Sequence, residues 1–489
     1  MPQLPKQLVL PLPGLAPEPN RSLGIPRVDR VSVNRNLRLS GIEWIGFDMD
    51  YTLATYNQEE MDAISIDLTA ERMVRRGYPA YLRQLSYDAR FPIRGLLVDK
   101  KLGHVLKMDR HKGVLKGYHG LRLLGRDELD ELYHHKRIRP HTPRYHWIDT
   151  LFALSEVTAY SAIIDVLERR GEHVDYPSVF SDVRMSIDEA HRDGSVYARV
   201  TADFPRYILR DPELARTLHK FRSAGKRLFL LTNSPWHYTD SVMRYLLGSA
   251  MTEYPSWQHY FDIVVCAAQK PAWFQEGKPF VERDADGSLR PVKSSLERGR
   301  VYENGNLADF ERLVNVRGSS VLYVGDHIYG DILRSKKETS WRTAMIIQEL
   351  DQEVAALETC ASELARIREL HDQREKIEDE LRYYQTHFKE LSKANNGDVA
   401  DKQRVKRAID RLRAELRRID QEHELLHEGV DRTFHPYWGS LLKEENEMSG
   451  FGLQVSLYAD IYMRKVSNLL SYSPQQFFRS PHDLMPHEL

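Results

Sequence analysis

Four short apolar runs, each closing on a polar cluster, constrain this 489-residue chain more than any other feature. They are residues 44–47 before Asp48, 227–231 before Thr232, 261–266 before Lys270, and 321–324 before Gly325 and Asp326. Each is about four to six residues long and rich in β-branched and aromatic side chains, so each reads as a buried strand. Helical pattern separates them, as in residues 211–225, where Gly225 is placed to end a helix. Strands alternating with helices build a parallel α/β sheet, and ligands of such sheets gather at the carboxyl ends of the strands. The four polar clusters, distant in sequence, are therefore expected to converge.

The remaining segments divide the chain. Residues 1–36 read as a mobile, proline-rich arm, and the core is expected from 37–56 and 212–348. Between them, 57–211 is a long insertion with hairpin-like alternation around Gly95 to Gly120 and an apolar helix near 150–170. A functional insertion of this length reads as an α+β cap over the sheet's active edge. Over 349–430, Leu364, Ile367, Leu370, Ile377 and Leu381, then Val405, Ile409, Leu412, Leu416 and Ile419, repeat with the spacing of an antiparallel helical hairpin. Its basic stretch, 402–418, reads as a solvated face interleaved with Asp410, Glu415 and Asp420. Residues 431–489 are expected as a helical segment packing on the core. The hairpin and this segment are candidate interfaces of a homo-oligomer.

Charge and cysteine content exclude some functions. The chain carries 70 Lys and Arg against 71 Asp and Glu, a net charge of -1. No global basic field attracts nucleic acid or an anionic membrane, so neither is expected as a partner. No apolar run reaches the ~20 residues of a bilayer span. Two cysteines, Cys266 and Cys360, are too few for a disulfide framework. A reducing, cytoplasmic setting is expected.

The chemistry lies in the clusters. Asp48 and Asp50, two carboxylates just past a strand, can divide the work of nucleophile and general acid/base. A carboxylate that attacks a phosphate dianion needs a divalent cation, and Mg²⁺ prefers carboxylate and phosphate oxygens. Asp326 and Asp331 supply further anions, and the neighbouring glycines allow close backbone approach. Thr232, Asn233 and Ser234 offer donors to phosphate oxygens, and Lys270 offers a point charge.

This order of clusters resembles the haloacid-dehalogenase (HAD) superfamily, with Asp48, Asp50 and Thr52 in its first motif, Thr232 in the second, Lys270 in the third, and Asp326 and Asp331 in the fourth. The resemblance implies a HAD-like Rossmannoid core, Asp48 as nucleophile and Asp50 as acid/base. It implies Mg²⁺ held by Asp48, the Asp50 carbonyl and Asp326, with Asp331 nearby. Longer strings, 47–54, 325–333 and 335–343, and the closing 484–488, resemble the cytosolic purine 5'-nucleotidase II family.

In the cap, Arg184, Asp188 and His191 fall at i, i+4 and i+7 and share one helix face. They read either as a surface ion pair or as a donor and acceptor for a purine edge, with Phe152 stacking on the base. The resemblance implies the second, and with it purine nucleoside 5'-monophosphates of the IMP and GMP type as substrates. Tyr197 departs from the family, which has a lysine there. Arg139, Asp149, Tyr329 and Lys337 match a site for a purine nucleotide effector, but Asp149 replaces an amide. The resemblance also implies nucleoside phosphotransfer as a side activity. Two other readings stand beside the nucleotidase: a phosphatase for another phosphomonoester such as a sugar phosphate, and a scaffold with a vestigial site.

Overall fold

The computed structural model describes residues 24–481 apart from 135–137, 249, 276, 285, 293, 317, 334–338 and 394–398. Lys337, the segment 335–337 and the closing string 484–488 lie outside the described residues.

A ten-stranded sheet forms the centre. Its order is Ser32–Val33, Ile461–Met463, Arg342–Ile346, Val321–Gly325, Trp44–Phe47, Arg227–Leu231, Ile263–Cys266, Val301–Asn304, Phe280–Arg283 and Leu289–Pro291. The seven strands from Ile461–Met463 to Val301–Asn304 run parallel, with antiparallel strands only at the two edges. A parallel sheet is covered on both faces, which is why these strands are continuous apolar runs. Alternate residues enter two cores. Ile45, Phe47, Leu230 and Val324 pack on one side, and Trp44, Phe229, Tyr323 and Trp341 on the other. At Gly46 a Cβ would lie 2.1 Å from the Phe229 ring, so only glycine lets these central strands pair.

The residues between 57 and 211 form their own layers. Five antiparallel strands, in the order Arg122–Leu123, Val114–His119, His104–Met108, Leu96–Asp99 and Tyr145–Ile148, stand beside the helices Gln58–Arg75, Leu154–Arg169 and Tyr176–Arg192. The latter helix starts on a capped turn, with the Asp175 side chain accepting from the Ser178 N–H and a proline in the first turn. Two long helices, Ala361–Lys393 and Val399–Phe434, make the hairpin, with Ile367, Leu370, Val405, Ile409, Leu412 and Ile419 buried.

Two expectations need correction. The C-terminal region is not simply helical. After the helix Gly450–Tyr458, residues Ile461–Met463 join the central sheet, and Phe477–Phe478 pairs with Leu37–Arg38. The proline-rich arm also ends earlier than residue 36, because Ser32–Val33 pairs with Ile461–Met463. Strands of two or three residues are too short to show a period. They are held instead by tertiary contacts such as buried Asp460, which accepts from Arg342 Nε at 3.0 Å and the Thr343 N–H at 2.9 Å.

Candidate active site

The four motif strands are consecutive neighbours in the sheet, and their carboxyl ends bring the polar clusters together. Asp48 directly follows Phe47, Thr232 follows Leu231, and Asp326 follows Gly325; Lys270 is on the loop after Cys266. The chain turns sharply past Asp48. The N–H groups of Thr52, Leu53 and Ala54 all donate to the Met49 carbonyl. Tyr51 adopts φ 54°, a left-handed conformation that costs a non-glycine residue about 1–3 kcal/mol. Gln348 Nε2 holds the strained turn from outside, donating to the Tyr51 carbonyl at 3.1 Å.

Asp48 and Asp50 face different surroundings. Lys270 Nζ lies 2.9 Å from Asp48 Oδ1 and 2.6 Å from Asp331 Oδ1. Burial pulls the Lys270 ammonium down, but Asp331 and Asp48 outweigh it and hold the ammonium above its ordinary range. Tyr323, fully buried, accepts from Lys270 Nζ at 3.0 Å and stands 3.2 Å from both Asp331 Oδ1 and the Leu231 carbonyl. Asp50 turns away from this cluster. Its two oxygens accept from Tyr56 Oη and Ser234 Oγ, each at 2.6 Å. Burial raises the Asp50 carboxyl, and those hydrogen bonds oppose the shift.

Oxygens of Asp48, Asp326 and Asp331 lie within 4.8 Å of one another, all buried. Asp326 Oδ2 has no hydrogen-bond partner among the described residues. Burial, then Asp331 and Asp48, push the Asp326 carboxyl well above its ordinary range. Three crowded carboxylates, of which Lys270 pairs only with Asp48 and Asp331 and an Asp326 oxygen is left orphaned, fit a hard divalent cation with oxygen ligands. Gly325 permits the crowding, since a Cβ there would meet Asp331 Cβ and Oδ2 at 2.5 Å.

The second-cluster residues have separate tasks. The Thr232 hydroxyl accepts from the Ser234 N–H at 3.1 Å and keeps its own proton to donate. Asn233 differs from its expected role as a phosphate ligand through its side chain. Its amide clamps the Lys270 backbone, accepting from the N–H at 2.6 Å and donating to the carbonyl at 2.9 Å. The buried Thr52 hydroxyl has no partner among the described residues.

On the far side of Asp50 six aromatic residues close a circuit. Tyr51 meets Phe152 at 4.7 Å, Phe152 meets His191 at 5.9 Å, His191 meets Tyr197 at 6.4 Å, and Tyr197 meets Tyr238 at 4.4 Å. Tyr238 is hydrogen-bonded to Tyr56 at 2.8 Å, and Tyr56 returns to Tyr51 at 4.9 Å. His191 Nδ1 donates to the Ile187 carbonyl at 3.0 Å, which fixes the ring's orientation.

Arg184 does not pair with Asp188. Its Nε lies 3.3 Å from Glu156 Oε2, on the Leu154–Arg169 helix, while Asp188 is exposed. Burial drives the Glu156 carboxyl up to about 7, with Arg184 opposing. A carboxyl raised on folding costs stability once pH climbs from its unfolded value, near 4.5, through its folded one. The stability of Glu156→Gln relative to the parent is therefore expected to rise between about pH 5 and 8. Urea unfolding at both pH values measures this, and a pH-independent difference would show that Glu156 stays ionised.

Two members of the expected effector set share a cleft. Asp149 and Tyr329 line a cleft of about 390 Å³, but Arg139 is not among its lining residues and Lys337 lies outside the described residues. Burial raises the Asp149 carboxyl, and His327, 4.0 Å away, opposes the shift.

Arg94, Tyr56, Tyr238, Tyr323 and Glu156 carry no motif. Arg94 comes from the insertion, fully buried. It donates to the Asp326 carbonyl at 2.8 Å and forks onto Glu349 at 2.8 and 2.6 Å. A basic residue opposite an apolar-run boundary is the only sequence signal it offers. The tyrosines are hidden among ordinary core aromatics.

Parallel strands with this carboxylate and lysine cluster at their ends define a HAD-like phosphatase fold. The 5' nucleotidase family matches residues 31–489, and the chain belongs to that family. A 5'-nucleotidase domain-containing protein 2 from Rattus norvegicus is 31% identical over 478 residues, covering 94% of this chain and 80% of its own. Its Homo sapiens counterpart is 30% identical, covering 94% and 85%. The solved structure of CbbY from Rhodobacter sphaeroides in complex with phosphate is 15% identical. It has a TM-score of 0.24 and covers 62% of this chain and 86% of its own.

Proposed function

We propose that the chain is a Mg²⁺-dependent 5'-nucleotidase acting on purine nucleoside 5'-monophosphates of the IMP and GMP type, with Asp48 as nucleophile. The observation that carries this reading is the contrast between two carboxylates two residues apart. Asp48 is paired to Lys270 within a cluster of three acids, and Asp50 is held by Tyr56 and Ser234 beside an aromatic circuit. Titratable groups in opposed environments take opposed roles.

An Asp48 oxygen bonds to phosphorus as the bond to the nucleoside 5' oxygen breaks, and Asp50 gives that oxygen its proton. Water then attacks the aspartyl phosphate. Asp50 takes the water's proton, the Asp48–phosphorus bond breaks, and phosphate leaves. A nucleoside hydroxyl in place of water gives phosphotransfer. Lys270 and the Thr232 hydroxyl hold the phosphoryl oxygens, with the Asn233 amide fixing Lys270. Asp48, Asp326, Asp331 and the Asp50 carbonyl would hold Mg²⁺, which supplies the positive charge that lets a carboxylate meet a phosphate dianion. Phe152 stacks on the base with His191 standing edge-on beside it, while Arg184 and Asp188 address the base's edge.

Phosphate release from a panel of nucleotides and sugar phosphates tests the reading. IMP and GMP are expected to lead, EDTA to abolish release and Mg²⁺ to restore it. Full activity in EDTA would sink the mechanism, and preference for sugar phosphates would sink the substrate class. Arg184→Ala is expected to lose discrimination among purine nucleotides while retaining hydrolysis of p-nitrophenyl phosphate. Equal loss on both substrates would make Arg184 a structural partner of Glu156 alone.

A further inference from the structure

The distal part of the helical hairpin carries a strongly basic surface. Residues 402–418 hold eight cations against Asp410 and Glu415, a net of +6 in a chain whose total is -1. In the sequence this stretch reads as a solvated face interleaved with Asp410, Glu415 and Asp420, and the structure leaves its exposed cations outside the hairpin's ion pairs. Asp420, which would close the alternation, is paired across the hairpin with Arg374 at 3.4 Å. The hairpin's other ion pairs use Arg366, Arg374, Arg382, His387 and Arg432, and no cation of 402–418 enters one among the described residues. Arg404, Arg407, Arg411 and Arg418 are all exposed. Arg404, Arg411 and Arg418 recur every seven residues, so they line one edge of the helix over about 21 Å.

We propose that this edge is a docking surface for a single-stranded nucleic acid. The apolar residues of the same helix, Val405, Ile409, Leu412 and Ile419, are spent on the hairpin seam. Without an apolar face the helix cannot lie in a membrane interface, and it lacks the apolar centre of a protein contact. What remains is electrostatic, and six of the eight cations are arginines, whose planar fork matches phosphate oxygens. An aromatic pair stands at the same level. The cross-hairpin pairs Arg374–Asp420 and Arg366–Glu422 bracket the antiparallel register, placing residue 383 level with the 405–411 stretch. Tyr383, 66% exposed, stacks with the half-buried His387 at 6.2 Å and 16°. A charged groove with an aromatic platform is the recurring arrangement for unpaired strands, since every base has a face to stack.

Fluorescence anisotropy of the intact chain with a fluorescein-labelled oligo(dT) of about 20 nucleotides tests this. Affinity is expected to fall at least tenfold between about 50 and 200 mM salt, as counterion release requires. The triple reversal R404E/R411E/R418E is expected to weaken binding at least tenfold and to lower the salt slope by about 2, three contacts at roughly 0.7 each. Its circular dichroism and phosphate release should match the parent, which separates lost binding from lost folding. Tyr383→Ala should weaken binding to the single strand more than to a duplex of the same sequence. Parent-like binding by the triple variant, a flat salt dependence, or tighter association with phosphatidylserine vesicles or poly-glutamate than with the oligonucleotide would overturn the proposal.

Discussion

Asp48→Asn is expected to lose turnover by about 10⁴-fold or more while remaining folded, because an amide cannot form the acyl phosphate. The second half of that result is as informative as the first. Burial pushes the Asp48 carboxyl up to about 8; Lys270 opposes the shift, and Asp331 and Asp50 add to it. Ionising Asp48 therefore costs the fold free energy when no cation shares the site, and the cost grows as pH rises from about 4 towards 8. Asparagine removes that cost, and Lys270 keeps Asp331 at 2.6 Å. In EDTA at neutral pH the variant should melt no lower than the parent. Phosphate release and a thermal melt on one preparation check both parts. Residual turnover within tenfold of the parent would remove Asp48 as nucleophile. Loss of turnover together with a collapsed melt would show only that Asp48 is needed to fold.

Arg94→Met should have the largest effect on stability. Arg94 is completely buried, forks onto Glu349 and reaches from the insertion to the main chain of Asp326. Removing one partner of a buried pair leaves the other charge stranded, at a cost of about 3–5 kcal/mol. Glu349 is 22% exposed, so water recovers part of this and the lower end of the range, about 3 kcal/mol, is expected. Activity should fall as well, because the Asp326 loop loses the donor that fixes its carbonyl. Glu349→Gln in the Arg94→Met background should recover part of the stability but not the activity, since the Asp326 carbonyl stays unheld. Denaturant unfolding and phosphate release on the single and double variants measure both. A single variant with the parent's unfolding midpoint would mean that the pair contributes no net stability.

The legible parts of the site share one property: their chemistry is local. Asp48 with Asp50, the glycine before Asp326, and the apolar run before each are signals within a few residues. Strand period and turn chemistry explain them without knowledge of neighbours. Arg184 and Asp188 were legible as a spacing, but spacing cannot say which carboxylate an arginine meets, and Glu156 is on another helix. The same holds for Asn233, whose amide composition suggests a phosphate donor until Lys270 is seen to occupy it.

By itself the sequence determined the alternating strands, the order of the acidic and basic clusters and the hairpin seam, because hydrophobic period and backbone chemistry act over short stretches. The tertiary structure alone decided that Arg94 supports Asp326 from the insertion, that six aromatics close a circuit beside Asp50, and that Ile461–Met463 completes the sheet. Those contacts join residues far apart in the chain. Their energy comes from burial and geometry that exist only after folding, so no local pattern announces them.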